Sequence, residues 1–253
     1  MTTLFELVPS TLDAVEVPSD AATAFIAARY ARDDAAYVRL NMITSLNGAA
    51  AGGDGTSDTL TSVVDRTVLR AIRDAADVIV VGAQTVRAEG YVLPRTALLA
   101  VVTRSGELGG HRFEPRPGAE TRVLILCPAG SRAHREGVRL ADGIDADIVP
   151  VTPRDDGTLD PVAIIAALAA RGHRRVVCEG GPALTAQFVA AGVIDEYCLT
   201  VAPTIEVGEH ALFTVAPGAR PDTSVAGMLV DDVGFSYLRA KVRPAAAARP
   251  TTP

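Results

Sequence analysis

Four residues, Glu179, Gly180, Gly181 and Pro182, stand where the apolar run Val176–Cys178 gives way to a helical pattern. Two glycines allow positive φ and, lacking Cβ atoms, let a bulky group approach the backbone. Proline suits the first turn of a helix. A helix starting there offers unpaired N–H groups and a positive dipole end, the makings of a phosphate or other anion site. Glu179 would be repelled by that anion, so it is expected to point elsewhere, toward reacting chemistry. A carboxyl group in a partly desolvated turn has its pKa raised toward neutrality and can then act as an acid, which puts Glu179 first as proton source. A second cluster spans residues 39–95, where Gly48, Gly52, Gly53, Gly55 and Gly82 mark two loops on either side of one helical segment.

The elements that must position these loops are legible from periodicity. Apolar runs rich in Val, Ile and Leu occur at Tyr37–Ile43, Val78–Val81, Leu98–Val102, Val123–Leu126, Ile148–Val151, Val176–Cys178 and Tyr197–Val201. Helical spacing of small and apolar residues recurs near 20–31, 63–76, 161–171 and 183–191. This alternation predicts crossover-connected, mostly parallel strands in an α/β fold. Phe235–Val242 reads as a further strand on the sheet edge, whereas residues 1–19 and Arg243–Pro253 read as irregular. Loops leaving the carboxyl ends of such strands converge on a ligand crevice. Neither a Walker-type G-x-x-x-x-G-K-[ST] nor a G-x-G-x-x-G fingerprint follows the first strand, which argues against a P-loop enzyme or a Rossmann dehydrogenase.

Composition narrows the class. The chain has 253 residues, 48% of them hydrophobic, enough for one large core. Its longest apolar stretch, Val162–Ala170, falls short of the ~18 residues that a membrane-spanning helix needs. Cys127, Cys178 and Cys198 lie in apolar surroundings and read as reduced core cysteines of a cytoplasmic protein. A net charge of −6 gives no electrostatic reason to bind nucleic acid or an anionic membrane surface, which leaves a small molecule as the expected partner.

Three blocks stand in order along the chain: M-I-T-S-L-N-G at 42–48, L-R-A-I-R-D-A-A-D-V-I-V-V-G-A-Q-T-V-R-A-E at 69–89, and E-G-G-P-A-L…G-V-I-D-E-Y-C-L-T-V-A-P-T-I at 179–205. Together they resemble the pyrimidine reductases of riboflavin biosynthesis, whose fold is that of dihydrofolate reductase. The resemblance covers roughly residues 36–242 and implies a mostly parallel central sheet flanked by helices, with an antiparallel C-terminal edge. It implies an N-terminal arm over 1–35, a reductase domain over 36–242 and a flexible tail over 243–253. The implied reaction is NADPH-dependent reduction of 5-amino-6-(5-phosphoribosylamino)uracil by hydride transfer to ribose C1′. NADPH would be held by Gly82, Gln84, Thr85, Gly180 and Gly181, with its 2′-phosphate received by Thr103, Arg104 and Ser105. The substrate phosphate would meet Ser57, Arg73 and Arg95, since an arginine fork matches phosphate bidentately. No metal is implied.

The departures from the family pattern bear on the acid. Asn47 stands where the family commonly has the Asp of S-L-D-G, and Glu89-Gly90-Tyr91 stands where it has D-D-P. Opening a ribosylamine needs a proton, and Glu179 and Glu89 are the carboxyl candidates, with Asn47 able to hydrogen-bond but not to shuttle a proton. Local chemistry keeps plainer readings open: Arg73 can pair with Asp77 at i+4, Thr85 can cap a helix, and Asn47-Gly48 is a turn pair. Two other functions also stay open, a dihydrofolate or pterin reductase and a non-catalytic nucleotide-binding module. His134–Glu136 matches the H-x-E of the deaminase that many relatives carry, but no C-x-x-C accompanies it, so a stand-alone reductase is expected. The family implies a homodimer paired through sheet edges, with Asp195–Thr204 and Phe235–Val242 as the stretches nominated. The competing reading lays the N-terminal arm over that edge.

Overall fold

Each Val-, Ile- and Leu-rich run becomes a strand of one sheet, because such segments satisfy their backbone groups only by pairing and can bury both faces. The computed structural model describes residues 1–115, 122–140, 143–207, 211–212 and 221–243. The chain runs β1 (Thr2–Val8), β2 (Ala14–Val17), α1 (Asp20–Tyr30), β3 (Tyr37–Ser45), α2 (Val63–Asp74), β4 (Val78–Gly82), α3 (Ala83–Ala88), β5 (Tyr91–Val92), β6 (Leu98–Val102) and β7 (Phe113–Glu114). It continues through β8 (Arg122–Pro128), α4 (Arg132–Glu136), β9 (Asp145–Val151), α5 (Pro161–Ala169), β10 (Arg175–Cys178), α6 (Pro182–Ala190), β11 (Glu196–Ala202), β12 (Thr223–Asp231) and β13 (Ser236–Val242).

Eleven of these strands form one sheet in the order β2-β1-β12-β13-β11-β3-β10-β4-β6-β8-β9. From β11 to β9 all neighbours are parallel, while β13, β12, β1 and β2 add antiparallel. In β4 the period of two sends Val78 and Val80 into one core and Ile79 and Val81 into the other. Ile164, Leu168, Leu184 and Phe188 of α5 and α6 fill the first, and Ile26, Val64, Val68 and Ile72 of α1 and α2 fill the second.

The antiparallel side is as expected, but β13 is not its outermost strand. β12, β1 and β2 lie beyond it, and β11 is enclosed between β3 and β13, so neither stretch nominated for pairing is a free edge. The N-terminal segment is ordered where an irregular one was expected. Its pattern is hard to read because an inward position of β1 holds the buried Glu6, which Arg29 grips through Nε at 3.0 Å and Nη2 at 2.8 Å. β12 was missed because Gly227 and a register shift between Val225 and Gly227 interrupt its alternation. The tail expected over 243–253 lies, beyond Arg243, outside the described residues.

An ionic cluster locks the middle of the sheet. Glu196 on β11 accepts from Arg39 Nε at 2.9 Å and from Arg239 Nε and Nη2 at 3.0 and 2.7 Å, and Arg39 and Glu196 are both 0% exposed. Burial pushes the Glu196 pKa up, but Arg39 and Arg239 outweigh it and hold the carboxyl below its ordinary value. A carboxylate with a depressed folded pKa contributes stability above its unfolded pKa and loses it as pH falls through the folded one. Glu196→Gln is therefore expected to destabilise by about 3 kcal/mol near neutrality. The deficit relative to the native chain should shrink between about pH 5 and pH 3 in thermal unfolding; a deficit constant with pH would refute the coupling. Separately, deleting residues 1–18 should bare β12 and raise the mass seen by light scattering, because an unpaired flat edge templates association. An unchanged mass would show that β12 needs no cover.

Candidate active site

The carboxyl ends of β3, β10 and β4 open on one cleft of about 630 Å3, with α2 along one wall and the starts of α3 and α6 on another. Helix α2 supplies two adjacent stripes. Val64, Val68 and Ile72 are buried in the core, while Asp65, Leu69 and Arg73, each one residue further on, line the cleft. Ser62 begins this helix by accepting a hydrogen bond from Asp65 N at 3.1 Å.

The turn after β10 is held by backbone bonds. Glu179 N donates to Val80 O at 3.0 Å, Gly82 N donates to Gly180 O at 2.7 Å, and Gly181 N donates to Thr85 Oγ1 at 2.7 Å. The Gly180–Gly181 peptide is cis, and Gly180 has φ +89°. A Cβ at Gly180 would lie 2.9 Å from Met42 Sδ at a φ that side chains rarely adopt, and one at Gly181 would lie 3.0 Å from Thr85 Oγ1, so glycine is favoured at this crossing of β3, β10 and α3. Ser19, Ser62 and Asp160 cap their helices with side chains, whereas α3 and α6 begin at Gly82 and Gly181 with no side-chain cap. Their first turns thus keep donors available to a ligand.

Glu179 leaves the turn toward α2, as its charge requires. Arg73 Nε donates to its Oε1 at 2.8 Å and Arg73 Nη2 to its Oε2 at 2.7 Å, and the Tyr91 hydroxyl donates to the same Oε2. Arg73 Nη2 also donates to Tyr91 Oη at 2.9 Å. Burial works against the Arg73 charge, but Glu179 and Tyr91 outweigh it and hold the guanidinium pKa above its ordinary value. Burial, with a further push from Glu179, keeps the Tyr91 hydroxyl protonated. Arg73 does not pair with Asp77, which is taken instead by Arg175 through Nε at 2.8 Å and Nη2 at 2.6 Å. Glu179 meets a guanidinium fork where the sequence suggested a partly desolvated turn facing the reacting chemistry.

The other expected residues divide. Ser57, Glu89, Gly82, Gln84, Thr85 and Gly181 line the cleft. Glu89 Oε1 accepts from Ser57 N at 3.1 Å and so ties the Gly-rich loop to the end of α3. Asn47 lies outside the lining. Its Oδ1 accepts from Ser45 Oγ at 2.6 Å and Glu206 N at 3.0 Å, and its Nδ2 donates to Glu206 O at 2.6 Å, bracing two loops. Arg95, Arg104 and Ser105 are exposed beyond the cleft lining, and Thr103 is buried with its Oγ1 accepting from Gly106 N at 3.0 Å. The sequence reading missed Asp65, Arg66 and Tyr91, all of which line the cleft. Asp65 Oδ2 accepts from Thr61 Oγ1 at 2.7 Å. Burial raises the Asp65 pKa above the usual carboxyl value, against the hydroxyls of Thr61 and Thr200 and the charge of Arg66, with Glu179 adding to the rise.

Residues 36–225 match the model of the RibD C-terminal domain. The riboflavin biosynthesis protein RibD of Mycobacterium tuberculosis is 30% identical over 207 residues, covering 82% of this chain and 49% of that protein. The chain thus spans about half the length of the curated relatives it matches. Among solved structures, a pyrimidine reductase-like protein from Corynebacterium diphtheriae superposes with TM-score 0.63 at 23% identity, covering 83% of this chain and 92% of that one. A diaminohydroxyphosphoribosylaminopyrimidine deaminase/5-amino-6-(5-phosphoribosylamino)uracil reductase from Thermotoga maritima gives 0.64 at 19% identity, covering 82% and 57%. At these identities the structural likeness speaks to the fold.

If the Arg73–Glu179 pair sets the shape of the cleft, Arg73→Ala should cost about 3 kcal/mol, because it strands a buried carboxylate. Arg73→Lys should recover little of that loss, since an ammonium cannot reproduce the fork. Tyr91→Phe should cost about 1–3 kcal/mol. Denaturant unfolding measures all three, and an Arg73→Ala loss under about 0.5 kcal/mol would mean the pair behaves as a surface one.

Proposed function

Since the chain belongs to the RibD C-terminal domain family, we propose that it is an NADPH-dependent reductase of 5-amino-6-(5-phosphoribosylamino)uracil, acting at ribose C1′. The observation that carries this reading is the pair of glycine-started helices, α3 and α6, opening without side-chain caps on a cleft rich in carboxylates. The residues present fit a dinucleotide. Pro182 has no N–H and Leu184 N donates to Gly181 O, so the Ala183 N–H is the first-turn donor of α6 left for a phosphate, with Gln84 and Thr85 on the same lining. When bound, a reduced nicotinamide supplies a hydride. Arg104 and Ser105, on the loop leaving β6, are the residues proposed for the 2′-phosphate beyond the cleft. With Arg73 committed to Glu179 and Tyr91, the cation among the described lining residues left for the substrate phosphate is Arg66, on the same lining as Ser57. A homodimer is the assembly proposed with this activity.

One observation favours a second reading, a pterin reductase. That chemistry needs a carboxylate against an amino-pyrimidine edge, and Asp65 presents one to the cleft.

NADPH consumption should be measured with the phosphoribosylaminouracil and with dihydrofolate. At least about tenfold higher kcat/KM for the former is expected, equivalent to about 1.4 kcal/mol of preferential transition-state binding. The reverse order would transfer the assignment to pterins, and NADPH binding without oxidation of either pair would leave a non-catalytic binding module. Arg104→Ala should weaken NADPH binding about ten- to a hundredfold and leave NADH nearly unchanged; equal losses would remove Arg104 from the cofactor site.

A further inference from the structure

Four carboxylates line the cleft: Asp58, Asp65, Glu89 and Glu179. Glu179 has both oxygens engaged by the Arg73 fork and one of them also by Tyr91. Glu89 accepts the Ser57 amide and holds the loop. Asp58 has its side chain 84% exposed, 3.8 Å from Arg66 at the rim. Asp65 differs from all three. It sits in the first turn of α2, on the stripe it shares with Leu69 and Arg73, and its bonded donor is a neutral hydroxyl, that of Thr61. Among the described residues no ion pair reaches it.

We propose that Asp65 is the catalytic acid of this cleft, the group that gives a proton to the bound substrate, in the place the sequence offered to Glu179 and Glu89. The proposal rests on the reductase reading above. The step it performs is ring opening of the ribosylamine. The C1′–O4′ bond breaks with its electron pair going to O4′, which takes the proton from Asp65. The nitrogen lone pair forms the C1′=N bond, and the resulting iminium carbon is ready to accept a hydride from the reduced nicotinamide. Asp65 is left as a carboxylate facing a cation in a partly desolvated cleft, where that attraction is stronger than in water, and it regains its proton from solvent.

The surroundings suit a group that must exist in both states. Burial favours the neutral acid, whereas the hydroxyls of Thr61 and Thr200 donate to the carboxylate and favour the anion. Arg66 on α2 pulls toward the anion, while Glu179 at the β10 turn pushes toward the acid. Tyr30 on α1 and Tyr237 on β13 also face Asp65, and burial keeps both hydroxyls protonated, so neither brings a charge.

Asp65→Asn keeps the shape and removes the proton. Its kcat/KM with the phosphoribosylaminouracil should fall at least ~100-fold, with NADPH dissociation constants by fluorescence titration within about twofold of the native value. The native kcat/KM should decline as pH rises through the Asp65 pKa, and that limb should vanish in Asp65→Asn and persist in Glu89→Gln. Thr61→Val removes a donor that favours the anion, so the limb should move to higher pH. A limb that survives Asp65→Asn, or a loss confined to KM, overturns the proposal. If the native protein turns over no substrate at all, the reductase reading is what fails, and Asp65 is then judged by carboxyl 13C titration. A resonance missing from Asp65→Asn that titrates above the ordinary aspartate range keeps the acid assignment, and one within that range overturns it.

Discussion

The buried contact of Arg73 with Glu179 and Tyr91 is the constraint on which the cleft depends. It joins three segments far apart in sequence: the last turn of α2, the turn that leaves β10, and β5. Taking two charges out of water is expensive, and the pair is stable here because the fork meets both carboxylate oxygens and the phenol satisfies a further lone pair. The same contact draws Glu179 away from the start of α6. That leaves the glycine turn free of negative charge at the point where the helix dipole favours an anion.

The division of labour among acids follows from that geometry. A carboxylate fully engaged by a guanidinium is a positioning group. A carboxylate bonded to a backbone amide, as Glu89 is to Ser57, fastens a loop. A carboxyl group whose bonded partners are neutral hydroxyls can change protonation state without breaking an ion pair, and Asp65 is in that position. Chemistry and architecture thus fall to different residues of the same type within one cleft of about 630 Å3.

Away from the cleft, the sheet is secured by a second ionic cluster. Arg39, Glu196 and Arg239 stand on β3, β11 and β13, at the seam where parallel pairing changes to antiparallel. Beyond that seam β1 and β2 extend the sheet and cover β12, with Leu4 and Glu6 facing inward. The N-terminal segment therefore belongs to the sheet itself, and the dimer interface envisaged from the sequence at β11 and β13 is already filled by the chain's own strands.

Much of the fold was legible because its signals are local. Short runs rich in Val, Ile and Leu marked the parallel strands, helical spacing marked α1, α2, α5 and α6, and the Glu-Gly-Gly-Pro turn marked the ligand face. Pairings with charge in them were not. β1 hides its alternation behind Glu6, whose partner Arg29 comes from α1, and β12 hides its own behind Gly227. For the site, the sequence by itself determined that a glycine pair leads into α6 and that an acid stands at 179; the positive φ at Gly180 and the closeness of Thr85 to Gly181 disfavour side chains there. Asp65 was present at helical spacing from Leu69 and Arg73, yet nothing local distinguished it from a first-turn acid stabilising its own helix. Only the tertiary structure decided that Arg73 meets Glu179 and not Asp77 or a phosphate, and that Asp65 faces the cleft, because the partners of a charge are set by which strands lie side by side.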